Sequence, residues 1–299
     1  MRRSILVAHV LLAALVGLTL RTGARPAASA AMFLGALGLM ELFYLFRLSK
    51  SPNRTACSGI AAVLWGFLIL WELWTTQLNL ANPILVPPPE DVFHVFRTAW
   101  PLMLRGVFSS LELLAVGFAL SLVLGIGLGL AAGWLAPLGD VLIPIARVLS
   151  PIPPIIYSPY IVALAPTFRA ASATILVLGI FWPTFMNMAG RVRGIDRRIL
   201  DTARTMNLGA GAMIWHVLLP YVTPGIFAGL RVSLSTSFLL LTIAEMMGAA
   251  SGMGYFIKNY SDYGNYTNVA AGIILVGLVV TLLNLLIGVM ERRFVKWRS

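Results

Sequence analysis

Residues 110–135 hold a single charged side chain, Glu112, and this run limits the fold more than any other feature. An α-helix needs about 20 consecutive apolar residues to cross the hydrocarbon core of a membrane. In that medium every backbone N–H and C=O must be paired inside the segment, so only helices or closed barrels cross. Comparable runs recur at about 5–20, 28–46, 60–76, 142–165, 173–190, 222–248 and 270–290. The pattern predicts an all-α integral membrane protein of about eight transmembrane helices. With 59% hydrophobic and 11% charged residues, the chain does not have the composition of an ordinary soluble domain.

The net charge of +11 does not mark a nucleic-acid binder. The arginines lie between apolar runs instead of forming one basic face. They concentrate in loops 47–54 and 191–204 and in the tail 292–298. By the positive-inside rule these lie in the cytoplasm, with both termini. Met1-Arg2-Arg3 before an apolar run resembles a signal peptide. Arg21 and Arg25 stand where a neutral cleavage region belongs, so a retained first helix is expected. Cys57, the single cysteine, excludes an intrachain disulfide or a cysteine metal cluster.

Residues 201–220 are the longest polar interruption of the apolar second half, and residues 195–206 have helix-compatible composition. Ile195, Ile199, Ala203 and Met206 recur at helical spacing. Asn207 and Gly209 are the residue types that most readily take a left-handed turn. A second helical run is expected over Ala210–Leu219, ending at Pro220. Small residues at Ala203, Gly209, Ala210, Gly211 and Ala212 would allow a partner surface to approach closely.

Within this segment, Asp201-Thr202-Ala203 and Val217-Leu218-Leu219-Pro220 resemble the cytoplasmic Glu-Ala-Ala…Gly…Ile-x-Leu-Pro motif of ABC importer permeases. Asn207 stands where that family has Gly. Leu85-Val86-Pro87-Pro88-Pro89-Glu90-Asp91-Val92, Gly229-Leu230-Arg231, Ala244-Glu245-Met246 and Ser251-Gly252-Met253-Gly254-Tyr255 extend the likeness. It is greatest to the nitrate, sulfonate, taurine and bicarbonate importers, and it covers about residues 60–298. The resemblance implies a six-helix type I permease core over 59–299, with its transmembrane type-1 domain at about 106–290. An N-terminal two-helix hairpin over 1–58 is additional. It implies a multi-pass protein of the bacterial inner membrane that forms the path for a small solute. The implied partners are a dimer of cytoplasmic ATPases, a second permease copy, an external solute-binding protein and membrane lipid. ATP and Mg would sit on the ATPase, with no cofactor in this chain. Asp201, Ala203, Arg204, Asn207, Gly209, Trp215 and Pro220 would form the ATPase-coupling loop.

Candidates for the path come from polar and proline residues inside spans. The segment 142–165 is read as one helix with prolines at 144, 151, 153, 154 and 159. Each proline frees a carbonyl that must be satisfied by protein or by a water-filled cavity. Pro153, Pro154, Tyr157, Ser158 and Tyr160 are therefore path candidates, with Asn187, Arg231, Ser235 and Glu245 on later helices. Arg231 and Glu245 are fourteen residues apart, about 21 Å along one helix, and need partners on other helices or in a second subunit. Glu41 and Glu72 are expected to reach the interface. The spacing Gly125-x3-Gly129-x3-Gly133 predicts close helix packing. Residues 77–109 and 249–268 are read as external connectors, the first with an interfacial helix and the second as a loop that suits docking of a binding protein.

No phosphate-cradling Gly-x4-Gly-Lys-Ser/Thr, His-Glu-x-x-His or nucleophile elbow occurs in the chain. An intramembrane enzyme therefore lacks a catalytic pair. An ion-coupled secondary transporter would need internal repeats and coupling carboxylates, and Glu245 is the only acid deep in the core.

Overall fold

The computed structural model describes residues 2–25, 27 and 29–294, and no strand occurs among them. The helices are α1 (Arg2–Leu20), α2 (Ala31–Lys50), α3 (Arg54–Glu72), α4 (Pro89–Thr98), α5 (Trp100–Trp134), α6 (Ala136–Leu149) and α7 (Pro154–Leu164). They continue as α8 (Phe168–Arg193), α9 (Arg197–Thr205), α10 (Ala210–Met213), α11 (Leu219–Met246), α12 (Met253–Asp262) and α13 (Tyr266–Phe294). Six described helices are long and apolar enough to cross a membrane, or seven if the bent α6–α7 pair is one span. The 28-residue α11 accounts for the remaining apolar run. Much of the exposed surface is apolar, including Leu39, Leu42, Phe43, Ile60, Val63, Phe67 and Val123, as lipid contact requires.

Two compact units divide the chain: residues 1–104 with 256–275, and residues 105–255 with 276–299. In the first, α1 packs on α3 and α2 on α4. Its core joins Leu15, Phe33, Leu37, Tyr44, Trp65, Leu68 and Phe93. The Tyr44 hydroxyl is 3.0 Å from Ser58 Oγ, and Glu41 pairs with His9 at 3.2 Å. Glu72 does not reach the interface. It is fully buried at the end of α3, where the chain passes into a π-helical turn, Leu73–Gln77. Thr76 Oγ1 lies 3.4 Å from Glu72 and 3.0 Å from Glu90, and Gln77 Nε2 donates to Glu72 at 3.3 Å.

In the second unit, α8 packs against α6, α7 and α11. The expected glycine stripe is the α5–α8 contact. A Cβ at Gly125 would meet Thr184, one at Gly129 would meet Met188, and one at Gly133 would meet Val192, whereas Gly127 faces open space. Gly117 extends the stripe toward Leu176.

The single helix expected over 142–165 is two helices bent by 98°. The break follows from proline chemistry. A residue before proline is pushed out of the helical region, and Pro153 itself is extended (φ −61°, ψ 132°) ahead of Pro154. Pro154 then opens α7 at a position that needs no N–H donor. Two connectors also differ from expectation. Helix α5 begins at Trp100, so it takes in part of the connector read over 77–109. The stretch 249–268 contains α12 and is not a loop.

Candidate functional site

The first part of the site is the segment between α8 and α11. Helix α9 starts where Asp196 Oδ1 accepts the Arg198 N–H at 2.9 Å, the side-chain cap its first turn needs. Its inner face is pinned by apolar burial. Ile195, Ala203, Met213 and Leu218 join Leu130, Met188, Val192 and Val222 in one cluster. Asn207 ends the helix in the left-handed region at φ 54°, as its residue type predicted. Gly209 has no positive φ, and a Cβ there would meet nothing. The left-handed turn expected of the two residue types falls on Asn207.

Two further findings concern this segment. Ala203 is buried against its own chain at 5% exposure, so its small size lets α9 sit on the core. The second helical run does not end at Pro220. Residues Ile214–Leu218 form a π-helical turn that runs into α11, and Pro220 lies in the first turn of that helix. Proline clashes with the carbonyl four residues earlier, here that of His216, and the wider π turn accommodates it. Helix α10, the π turn and α11 therefore form one continuous helical path. Outward of it stand Met206 and Trp215, each 68% exposed, with Asp201 and Gly211 also exposed. The side chain of Arg204 lies outside the described residues.

The second part is an open cleft of about 340 Å³ among α5, α8 and α11, lined by Leu122, Thr184, Asn187, Arg191, Gly225 and Ser233 among others. Pro183 contributes no N–H, which leaves the Gly179 carbonyl on the cleft wall without its helical donor. Arg191 Nε donates to Asn187 Oδ1 at 2.7 Å. Its guanidinium lies so close over Gly225 that a Cβ there would overlap it.

Of the sequence candidates, Asn187 lines this cleft. Pro153, Pro154, Tyr157, Ser158 and Tyr160 do not. Pro154 packs on the Gly179 face of α8. Ser158 is buried and donates to Ile155 O at 2.7 Å, with Met247 Sδ at 3.2 Å. Tyr157 is half-buried, and Tyr160 points out at 75% exposure. Ser235 is exposed and its hydroxyl neighbours Ser233 and Thr236 line the cleft instead. The Arg231 side chain lies outside the described residues.

Glu245 belongs to a third part, at the opposite end of α11. It is 2% exposed. Ser110 Oγ donates to its Oε1 at 2.6 Å, and the Gly254 N–H donates to Oε2 at 2.8 Å. Gly252 adopts φ 125°, where a Cβ would overlap the carboxylate. The Glu245 and Ser251–Tyr255 motifs are thus two halves of one clamp, with the carboxylate at the N-terminus of α12. Beside it, Ser109, Thr167, Arg169, Ser172 and Ser251 line a second cleft of about 440 Å³. Arg169 there pairs with Glu112 at 2.6 Å.

Sequence reasoning missed Arg191, Thr184 and Ser110. Thr184, Asn187 and Arg191 stand at i, i+3 and i+7, one helical face, a signal that was available. Arg191 was counted with the loop charges because it lies two residues before the end of α8. Ser110 carries no local signal at all. Among the described residues no group of three or more His, Cys, Asp and Glu could hold a metal.

Residues 122–298 match the family model for the binding-protein-dependent transport system inner membrane component. The taurine transport system permease protein TauC of Escherichia coli is 27% identical over 262 residues, 85% of this chain and 94% of that protein. The nitrate import permease protein NrtB of Synechocystis sp. is 32% identical over 259 residues, 81% of this chain and 89% of that protein. A solved structure titled for inward facing conformations of the MetNI methionine ABC transporter has a similar fold. Its TM-score is 0.54 at 21% identity, covering 66% of this chain and 97% of that one.

Proposed function

This chain belongs to the family of binding-protein-dependent transport system inner membrane components, and from that premise we propose that it is one half of an ATP-driven solute path. Two copies flank the path, and the exposed face of α7, with Ile156, Tyr160 and Leu164, meets the second copy. An external binding protein delivers the solute at the α12 end. A pair of cytoplasmic ATPases, which hold the ATP and Mg, docks on α9 and α10. The chain itself carries out no catalysis, and both termini are cytoplasmic. Residues 1–58 add a membrane hairpin, in contact with lipid, to the core of 59–299. The solute is a small anion of the nitrate, sulfonate, taurine or bicarbonate kind, by similarity to the taurine and nitrate permeases.

The observation that carries this reading is the continuous path from the docking segment into a membrane helix. Met206 and Trp215 are large apolar side chains exposed on a polar segment, and buried aromatic anchors supply much of the energy of protein interfaces. Because α10 runs through the π turn into α11, a partner that grips Trp215 also moves the wall of the cleft. The test is to purify the chain with its ATPase and binding protein and to compare Trp215→Ala with the parent. ATPase copurification and binding-protein-stimulated ATP hydrolysis should both fall while the thermal stability of the permease holds. Unchanged assembly and unchanged stimulation would overturn the docking assignment.

A further inference from the structure

We propose that Arg191 and Asn187 form an anion-holding station at the α9-proximal end of the cleft, where the solute is last held before release. This rests on the permease reading above and adds a place and a chemistry to it. Arg191 has no carboxylate within ion-pair distance among the described residues. Its Nε donates to Asn187 Oδ1 at 2.7 Å. That bond orients the guanidinium, which lines the cleft beside Gly225. An arginine fork matches planar and tetrahedral oxyanions through paired hydrogen bonds.

The surroundings are built for this group. Gly225 leaves the space the guanidinium occupies, since any Cβ there would overlap it. Thr184 and Ser233 line the same cleft and can donate hydroxyl protons to an anion. A cleft of about 340 Å³ lies within the size range of small-ligand sites. An ionisable residue facing an internal path is costly unless it is compensated. Here the compensating charge is the cargo, present only in passage. Arg191 also sits two residues before the α8 terminus and next to Val192, a member of the cluster that holds α9, so the docking segment can shift it.

The experiment uses the importer assembled from this chain, its ATPase and its binding protein, in inside-out membrane vesicles. A reporter cysteine replaces Ile226, which lines the cleft, in a Cys57→Ser background. Its reaction rates with a negatively charged sulfonatoethyl and a positively charged trimethylammonioethyl thiosulfonate reagent are compared, with nitrate as the competing probe. Arg191→Gln should lower the anion-to-cation rate ratio by about tenfold, the factor a unit charge several ångströms away imposes between oppositely charged probes in water. Arg191→Lys should keep most of the ratio. Nitrate should slow labelling in the parent and not in Arg191→Gln. If Arg191→Gln does not assemble, Gly225→Ala, which displaces the guanidinium, should show the same fall. An unchanged ratio, or nitrate protection that survives the loss of Arg191, overturns the proposal. Binding-protein-stimulated ATP hydrolysis in the same vesicles separates the two readings. If it persists while the ratio is unchanged, only the station fails; if the parent shows none, the importer reading fails.

Discussion

Ser110 Oγ lies 2.6 Å from Glu245 Oε1, and the same oxygen accepts the Met253 N–H at 2.9 Å. One hydroxyl thus ties α5 both to the end of α11 and to the start of α12. Ser110→Ala removes a bond to a buried carboxylate and the hydroxyl that accepts from Met253 N–H, a loss of about 2–3 kcal/mol. A lower melting temperature in detergent is the expected result. A double-mutant cycle with Glu245→Gln should show coupling, because the two changes remove one shared bond.

Gly252 and Gly264 both have positive φ, 125° and 67°, but their surroundings differ. A Cβ at Gly252 overlaps Glu245, whereas one at Gly264 meets nothing. Gly252→Ala should cost more than the backbone strain alone, about 1–3 kcal/mol, and should prevent recovery of folded protein by size-exclusion chromatography. Gly264→Ala should lose only about 1 kcal/mol and remain monodisperse.

The turn after α9 gives an opposed pair. Asn207→Val forces a β-branched residue into the left-handed region, at a cost of about 1–3 kcal/mol. It should reduce stimulated ATP hydrolysis. Gly209→Val should leave hydrolysis near the parent level, because Gly209 has ordinary φ and open space. Equal losses in both variants would show that the turn is not centred on Asn207.

Position 203 separates docking from folding. Ala203→Trp inserts a large ring into the cluster of Leu130, Val192 and Leu218, and overpacking of this kind costs about 1–3 kcal/mol or more. It should lower permease stability in the absence of the ATPase. Trp215→Ala, on the outer face, should not.

Orientation can be measured by cysteine accessibility in a Cys57→Ser background. Tyr263 and Asp201 are exposed. Tyr263→Cys should react with an impermeant reagent added outside, and Asp201→Cys only after the membrane is opened. Outside labelling of Asp201→Cys would invert the assigned topology.

The apolar runs, the glycine stripe and the left-handed Asn207 were legible because each rests on local chemistry or fixed periodicity. The α6–α7 bend was not. Hydropathy sums over Pro151, Pro153 and Pro154 without registering that Pro154 pushes the residue before it, Pro153, out of helical geometry. Helix α12 was read as a loop because its start is held by Glu245, nine residues before Gly254 and packed there by tertiary contacts. Arg191 was misplaced because counting loop charges cannot show that a side chain near a helix end folds back over Gly225.

The π turn at Ile214–Leu218 sets an angular phase between two surfaces. A π turn carries one residue more than the α-helix needs, and each residue turns a helix by about 100°. Outer Trp215 and the cleft-lining Gly225, Gly229 and Ser233 are therefore oriented by a count of residues as well as by packing. Deleting one residue there would regularise the helix and raise its local propensity, yet it would turn the docking face about a quarter of a revolution from the wall it drives. This stretch should accept substitutions far more readily than any change in length.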